Sequence, residues 1–281
     1  MSSQVGVLRF INPGAACYIN VVMQLLTQVR QALPGSGILS RWMTHLHANK
    51  MHTETNSTLM VIKDINQFLP MSDKYDGSQG DAMEVLNAIW NAVKDDAGIT
   101  ELYGIDILQI ITCSTCSTIS QSRQPAWHLQ VPSQIHNLQA FFEYLFATEV
   151  MDGADAYMCD ACNSKQRAVK GNIVRRWPPF LLFQIMRFDT NMKHAYQFEF
   201  FDSFKGSGPS DPTYVLMFIV CHQGNRDNGH YFGYGRVGPN TFMEYNDERC
   251  APYTNNVFTT ASVKAAAYML FYVKQSFMYG F

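Results

Sequence analysis

The chain has 281 residues, 47% of them hydrophobic, and carries 21 Lys plus Arg against 23 Asp plus Glu, a formal net charge of −2. That length and apolar share can bury a substantial core, as one large domain or two small ones. The balanced charge, with a pI of about 6.4, lacks the basic footprint of a nucleic-acid binder. Neither Met1 to Phe10 nor the apolar run Ala265 to Val273 has the pattern of a secretory leader or the length of a membrane span. The expectation is a soluble, non-secreted protein with no nucleic-acid or membrane partner. Seven cysteines are an odd number, and four of them form two close pairs, Cys113/Cys116 and Cys159/Cys162. That is metal spacing rather than a disulfide framework, and it implies a reducing, intracellular setting, cytoplasmic or nuclear.

Apolar residues recur at helical spacing over Cys17 to Leu33, Thr58 to Phe68 and Gln79 to Val93, which predicts a helical first lobe. From about Ile105 the pattern changes to short β-prone runs, Ile105 to Thr112 and Ser117 to Val131, interrupted by a helical stretch, Asn137 to Ala147. After Val174 the chain is strand-rich: Phe180 to Phe188, Tyr214 to His222, His230 to Val237, Thr241 to Tyr245 and Tyr268 to Lys274, separated by Gly, Pro, Asn and Asp. These runs predict an antiparallel sheet and an α+β fold. Gly206 to Pro212 reads as a surface loop. The aromatic run Phe198 to Phe201 reads as packing.

In Asn12-Pro13-Gly14-Ala15-Ala16-Cys17, a Pro/Gly turn delivers a cysteine to the start of an amphipathic helix. A helix N-terminus favours the thiolate, the nucleophilic form, through its unpaired N–H groups and partial positive charge. Asn12, beside it, can donate to a developing oxyanion. A free cysteine is more often a packing residue, so the argument needs a base. Gly229-His230-Tyr231 opens a strand after the turn-forming Gly224 to Asn228, a place where a loop meets a rigid sheet. The next strand ends in Glu244-Tyr245-Asn246-Asp247-Glu248, where an Asn or Asp can bond the far imidazole nitrogen and fix its orientation. Neighbours on one strand should face opposite sides, so only one of Asn246 and Asp247 can meet the ring.

The pairs Cys113-Ser114-Thr115-Cys116 and Cys159-Asp160-Ala161-Cys162 offer four thiolates in two knuckles, the donor set of a tetrahedral Zn²⁺. Four protein ligands leave no position for an activated water, so such a zinc is structural. Asp81 and Glu84, three apart in the predicted helix, place two carboxylates on one face.

The order Cys, His, Asn is that of papain-like proteases, and the surrounding motifs resemble one family, the ubiquitin-specific proteases. The cysteine box matches Asn12 to Gln24, with Ala16 where a Thr is usual. Gln79-Gly80-Asp81-Ala82 is similar to the Gln-Asp-Ala box, Leu181 to Phe188 to the Leu-Lys-Arg-Phe strand with Met186 for Lys, and Tyr214 to Val237 to the histidine box. Phe242 to Asp247 matches the Asn-Asp box, with Cys250 where Val is common, and Ala267 to Tyr272 the closing strand. The resemblance runs from about Leu8 to Val273; the stretch between Phe188 and Tyr214 is short for the family and departs from its pattern.

The resemblance implies a papain-like fold with a helical thumb (about 1–104), zinc-bearing β fingers (about 105–175) and an antiparallel β palm (about 176–281). It implies hydrolysis of the isopeptide bond after the C-terminal Gly-Gly of ubiquitin. The partners would be ubiquitin, ubiquitinated proteins and regulatory proteins. Cys17 would be the nucleophile, His230 the base, Asn246 its orienter, Asn12 the oxyanion donor and Asp247 an assistant to that region, while Asp81 and Glu84 would grip the arginine-bearing tail of ubiquitin. Two alternatives stay open: an inactive ubiquitin-binding scaffold, and an isopeptidase for a ubiquitin-like modifier.

Overall fold

A run of apolar residues that is buried on every side leaves its helix no exposed face, and Cys17–Thr27 (α1) is such a run: all ten residues from Cys17 to Leu26 are buried. The computed structural model describes residues 9–28, 66, 75–189, 192–206, 211–226, 228–239 and 241–280. The helical prediction over Thr58 to Phe68 lies outside these residues, apart from Asn66 in a turn, and so does the continuation of α1 beyond Gln28. Among the described residues, the next helices are Ala82–Val93 (α2) and Ala97–Tyr103 (α3). Both start at an aspartate whose carboxylate accepts a helix N–H: Asp81 from Met83 at 2.6 Å, Asp96 from Gly98 at 2.9 Å. Sequence reading started α2 at Gln79; the cap shortens it.

Nine strands and a helix follow, in chain order: β1 (Ile105–Cys113), β2 (Ile119–Ala126), β3 (Leu129–Val131), helix α4 (Leu138–Phe146), β4 (Glu149–Met151), β5 (Tyr157–Cys159), β6 (Ser164–Gln166), β7 (Ala168–Arg176), β8 (Phe180–Ile185) and β9 (Ser203–Lys205). Then come β10 (Thr213–Gly224), β11 (Gly229–Gly238), β12 (Thr241–Asn246), β13 (Arg249–Tyr253), helix α5 (Ala261–Ala266) and β14 (Ala267–Lys274). The predicted strand Ser117 to Val131 is two strands broken at Trp127–His128, and β4, β5, β6, β7, β9 and β13 are additional to the strands expected from sequence.

The large sheet has the order β13-β12-β11-β10-β14-β8-β3, with β9 also paired to β10. It is antiparallel except for β3, which runs parallel to β8. Alternate residues of each central strand feed two cores. Phe180, Leu182, Phe218, Val220, Met269 and Phe271 join the core under α1 and α2. Leu181, Phe183, Ile219, Leu270 and Tyr272 join the core of the opposite face, with Leu138 and Phe141 of α4. A sheet covered on both faces needs near-continuous apolar strands, which explains why Phe180 to Ile185 and Tyr268 to Val273 show no polar alternation.

A smaller sheet, β2-β1-β7-β4, and the β5-β6 hairpin stand beside it. This mix of helices and mainly antiparallel sheet is the expected α+β class. Among the described residues, no helix is long and apolar enough to cross a membrane.

Arg187, just past β8, is fully buried with no carboxylate paired to it among the described residues; its guanidinium donates to the carbonyls of Ala267, His194, Tyr196 and Lys264. Those bonds pin the loop carrying residues 192–197 to the end of α5. Phe198 and Phe200 are buried in the second core, as expected of packing residues.

Candidate active site

The nucleophile candidate sits at the first position of α1. Its turn is tight: Gly14 and Ala15 both have positive φ, +133° and +49°. Ala15 is in the left-handed region that costs a residue with a Cβ about 1 kcal/mol or more. The turn is held by Asn12, whose Oδ1 accepts from Gly14 N at 3.0 Å and Ala16 N at 2.9 Å, and by Tyr75, whose hydroxyl donates to Gly14 O. The N–H of Cys17 belongs to the first turn of α1 and has no intrahelical acceptor.

Helix α1 packs on β11, which brings Cys17 to His230. A hydrogen bond with Cys17, aided by one to Asn246, pushes the His230 imidazole up to about 9 against the opposing effect of burial. Its Nε2 lies 2.7 Å from Asn246 Oδ1, so Nδ1 is the nitrogen left for the thiol. Asn246 ends β12, and Asp247 leaves the strand in a left-handed turn with φ +52°. The two side chains do part company, but because of this turn and not because of strand alternation. Asp247 faces α1: its Oδ2 accepts from Asn12 Nδ2 at 3.0 Å and its Oδ1 from Asn20 Nδ2 at 2.8 Å. Asn20 is 2% exposed and was not singled out in the sequence; only its place one helical turn after Cys17 could have flagged it.

Geometry revises Asp81. It is the cap of α2 and not a residue on the helix face, and its carboxylate is engaged by Met83 N, Tyr231 OH at 3.1 Å and Tyr268 OH at 2.8 Å. Glu84, one turn on, is exposed and lines a groove with Asn87, Gln130, Gln184 and Tyr268. This groove and the cleft lined by Cys17, Gln79, Gly80, His222 and Tyr231 share Asp81 and Phe188. Gly80 lets the chain pass close to Tyr18, since a Cβ there would sit 2.7 Å from the ring and force it to shift.

The four paired cysteines meet at the tip of the smaller sheet. Cys113 closes β1 and Cys159 closes β5, and each knuckle ends in a left-handed residue directly after its second cysteine, Ser117 (φ +59°) and Asn163 (φ +52°). All four sulfurs lie within 4.8 Å of one another, with Cys116 and Cys159 Sγ 3.6 Å apart. Tetrahedral ligands at about 2.3 Å from a zinc would be about 3.8 Å from each other, so the cluster can hold a metal ion of that size. Hydrogen bonding to Thr118 brings the Cys116 thiol down to about 6, while Cys116 itself pushes Cys162 up to about 12. Four sulfur donors gathered at one point are the ligand set that a tetrahedral metal ion takes.

A family model described as "Ubiquitin carboxyl-terminal hydrolase" matches residues 8–272. The chain is 24% identical over 269 residues to ubiquitin carboxyl-terminal hydrolase 26 of Oryza sativa subsp. japonica, covering 84% of this chain and 25% of that protein. It is 23% identical over 195 residues to ubiquitin carboxyl-terminal hydrolase 2 of Homo sapiens, covering 64% and 32%. It thus spans a third or less of these curated relatives. Among solved structures, it resembles the SAGA DUB module containing Ubp8, Sgf11, Sus1 and Sgf73 bound to monoubiquitin, with a TM-score of 0.76 at 21% identity, over 98% of this chain and 70% of that one. That likeness supports the same fold.

Proposed function

Because the chain belongs to the ubiquitin carboxyl-terminal hydrolase family, we propose that it is a cysteine-dependent deubiquitinase that hydrolyses the isopeptide bond after the C-terminal glycine of ubiquitin. The observation that carries this is the line from Cys17 through His230 to Asn246 at the edge of an open cleft.

Cys17, hydrogen-bonded to His230 at the start of α1, gives its proton to the imidazole and attacks the glycine carbonyl as the thiolate. The oxyanion forms beside the Cys17 N–H and the second N–H of the Asn12 amide, the first being given to Asp247. His230 then protonates the leaving lysine amine, and a water molecule deprotonated by the same imidazole releases the ubiquitin carboxylate from the thioester. Asn246 keeps the ring turned so that one nitrogen faces the sulfur throughout. The groove with Glu84 accepts the basic tail of ubiquitin, and Asp81 shapes it by holding Tyr231 and Tyr268 in place.

Cys113, Cys116, Cys159 and Cys162 would hold one Zn²⁺ as a structural crosslink between β1 and the β5-β6 hairpin, the fingers of the expected architecture. Ubiquitinated proteins and regulatory proteins are the partners this reading implies.

Reaction with a panel of C-terminal electrophiles of ubiquitin and ubiquitin-like modifiers tests the reading. Adduct on Cys17 with the ubiquitin probe supports it. Labelling by another modifier alone would change the substrate, and no labelling by any would leave an inactive scaffold.

A further inference from the structure

Helix α1 is buried on every side, yet it carries an amide on the face of Cys17: Asn20, three residues on, is 2% exposed. Its nitrogen bridges two separate segments, with Nδ2 2.8 Å from Asp247 Oδ1 and 3.4 Å from the Phe10 carbonyl oxygen. A carboxylate and a carbonyl accept and do not donate, so the amide has one workable orientation, nitrogen toward both. That orientation leaves Asn20 Oδ1 buried with no protein hydrogen-bond partner among the described residues. A buried amide that uses only half of its bonding capacity on the protein is a poor packing residue, and an aliphatic side chain would serve the fold better. The chemistry of the site therefore lies with its nitrogen.

The Asp247 backbone, with φ +52°, turns its side chain toward α1, but the plane of the carboxylate hangs on a soft sp³–sp² torsion. Asn12 bonds one of the two oxygens, Oδ2 at 3.0 Å. One bond leaves the plane free to tilt; the second, from Asn20 to Oδ1, fixes it. The same nitrogen holds Phe10, whose own N–H lies 3.4 Å from the Asp247 carbonyl oxygen, so the approach to the Asn12 turn and the turn after β12 are tied at one point. We propose that Asn20 is a positioning residue for the oxyanion donor: it fixes the Asp247 carboxylate, which fixes the Asn12 amide, whose remaining N–H meets the charge developing on the scissile carbonyl. Asn20 acts through these two side chains and not on the reacting atoms. That the carbonyl is a ubiquitin glycine rests on the deubiquitinase reading above; the Asn20–Asp247–Asn12 chain does not.

The test separates positioning from support of the fold. In turnover of a fluorogenic ubiquitin substrate, Asn20→Ala should lower kcat roughly tenfold with KM little changed. On an Asn12→Ala background the same substitution should leave kcat almost as it was, while its effect on Tm persists; a residue that only supported the fold would lower kcat equally on both backgrounds. Asn20→Asp sets two carboxylates face to face and should be worse than Asn20→Ala. Combined with Asp247→Asn it restores both bonds with the partners exchanged, since the amide now at 247 accepts from Asn12 and donates to the carboxylate now at 20, and most of kcat should return. In ¹H–¹⁵N NMR of the whole chain, the Asn12 side-chain NH₂ pair, identified by its loss in Asn12→Ala, should move in Asn20→Ala toward its position in Asp247→Ala. Equal kcat losses on the two backgrounds, no recovery in the folded exchanged pair, or an unmoved Asn12 signal would each overturn the proposal. If the wild type turned over no ubiquitin substrate, the enzymatic reading would fall, and the Asn12 signal would still decide whether Asn20 holds that amide.

Discussion

The Asn12 side chain is held from both ends: its oxygen by backbone N–H groups of the Cys17 turn, and its nitrogen by the Asp247 carboxylate 3.0 Å away and 235 residues distant in sequence. An amide fixed in this way can present its remaining N–H to a new negative charge without reorganising, the condition under which such donors are worth most. Asp247→Ala should therefore lower kcat on the order of 10²-fold with little change in KM, as loss of Asn12 itself would. Asn12→Ala combined with Asp247→Ala should cost little more than either alone, since the two act as one unit. Additive losses in that double-mutant cycle would refute the coupling.

Asn246 has a different task. Asn246→Ala should cost less than His230→Ala, on the order of 10²-fold in kcat, because an amide orients the ring without adding a charge. Near wild-type kcat for Asn246→Ala would remove it from the line.

The His230 pKa, raised to about 9, sets the pH dependence. The imidazolium paired with Cys17 is present below that value and is lost as pH rises through it. Turnover should hold from neutrality and fall with an apparent midpoint near 9; a fall centred near the ordinary histidine value of about 6.5 would contradict the pairing. The same sign applies to folding: this group's contribution is complete below about 6.5 and disappears as pH rises through about 9.

Asp81 and Glu84 should separate experimentally. Asp81→Ala removes a helix cap and the partner of two buried hydroxyls, so it should lower stability by about 1–2 kcal/mol or more, visible as a reduced Tm. Glu84→Ala, on an exposed position, should leave Tm within a degree or two and raise KM for ubiquitin substrates. Equal Tm values for the two variants would argue against the capping role.

Metal analysis should find about one zinc per chain, and replacing any of the four clustered cysteines by Ser should abolish it. Protein that contained no zinc and kept full activity after exhaustive chelation would exclude a structural metal.

Much of this was legible from local pattern. The Asn12 to Cys17 turn, the two Cys-x-x-Cys knuckles and the Gly-His strand start are short-range signals, and the structure brings each set together where expected. What sequence concealed was decided by tertiary contact. Asp81 looks like a helix-face carboxylate until the helix start and two distant tyrosines are seen. Asp247 looks like a strand neighbour of Asn246 until its left-handed turn aims it at Asn12 and Asn20. β7 has mixed polarity because it is only half covered, and β3 is too short to announce a parallel pairing.

The strand order places β14, which follows both β8 and β10 in the chain, between them in the middle of the large sheet. During synthesis Cys17 emerges long before its base, and β8 and β10 emerge with no partner yet made for the edges that will face β14. The sheet can close only when β14 arrives, so the reactive thiol is produced early but armed late. Its assembly therefore waits on every strand from β8 to β14.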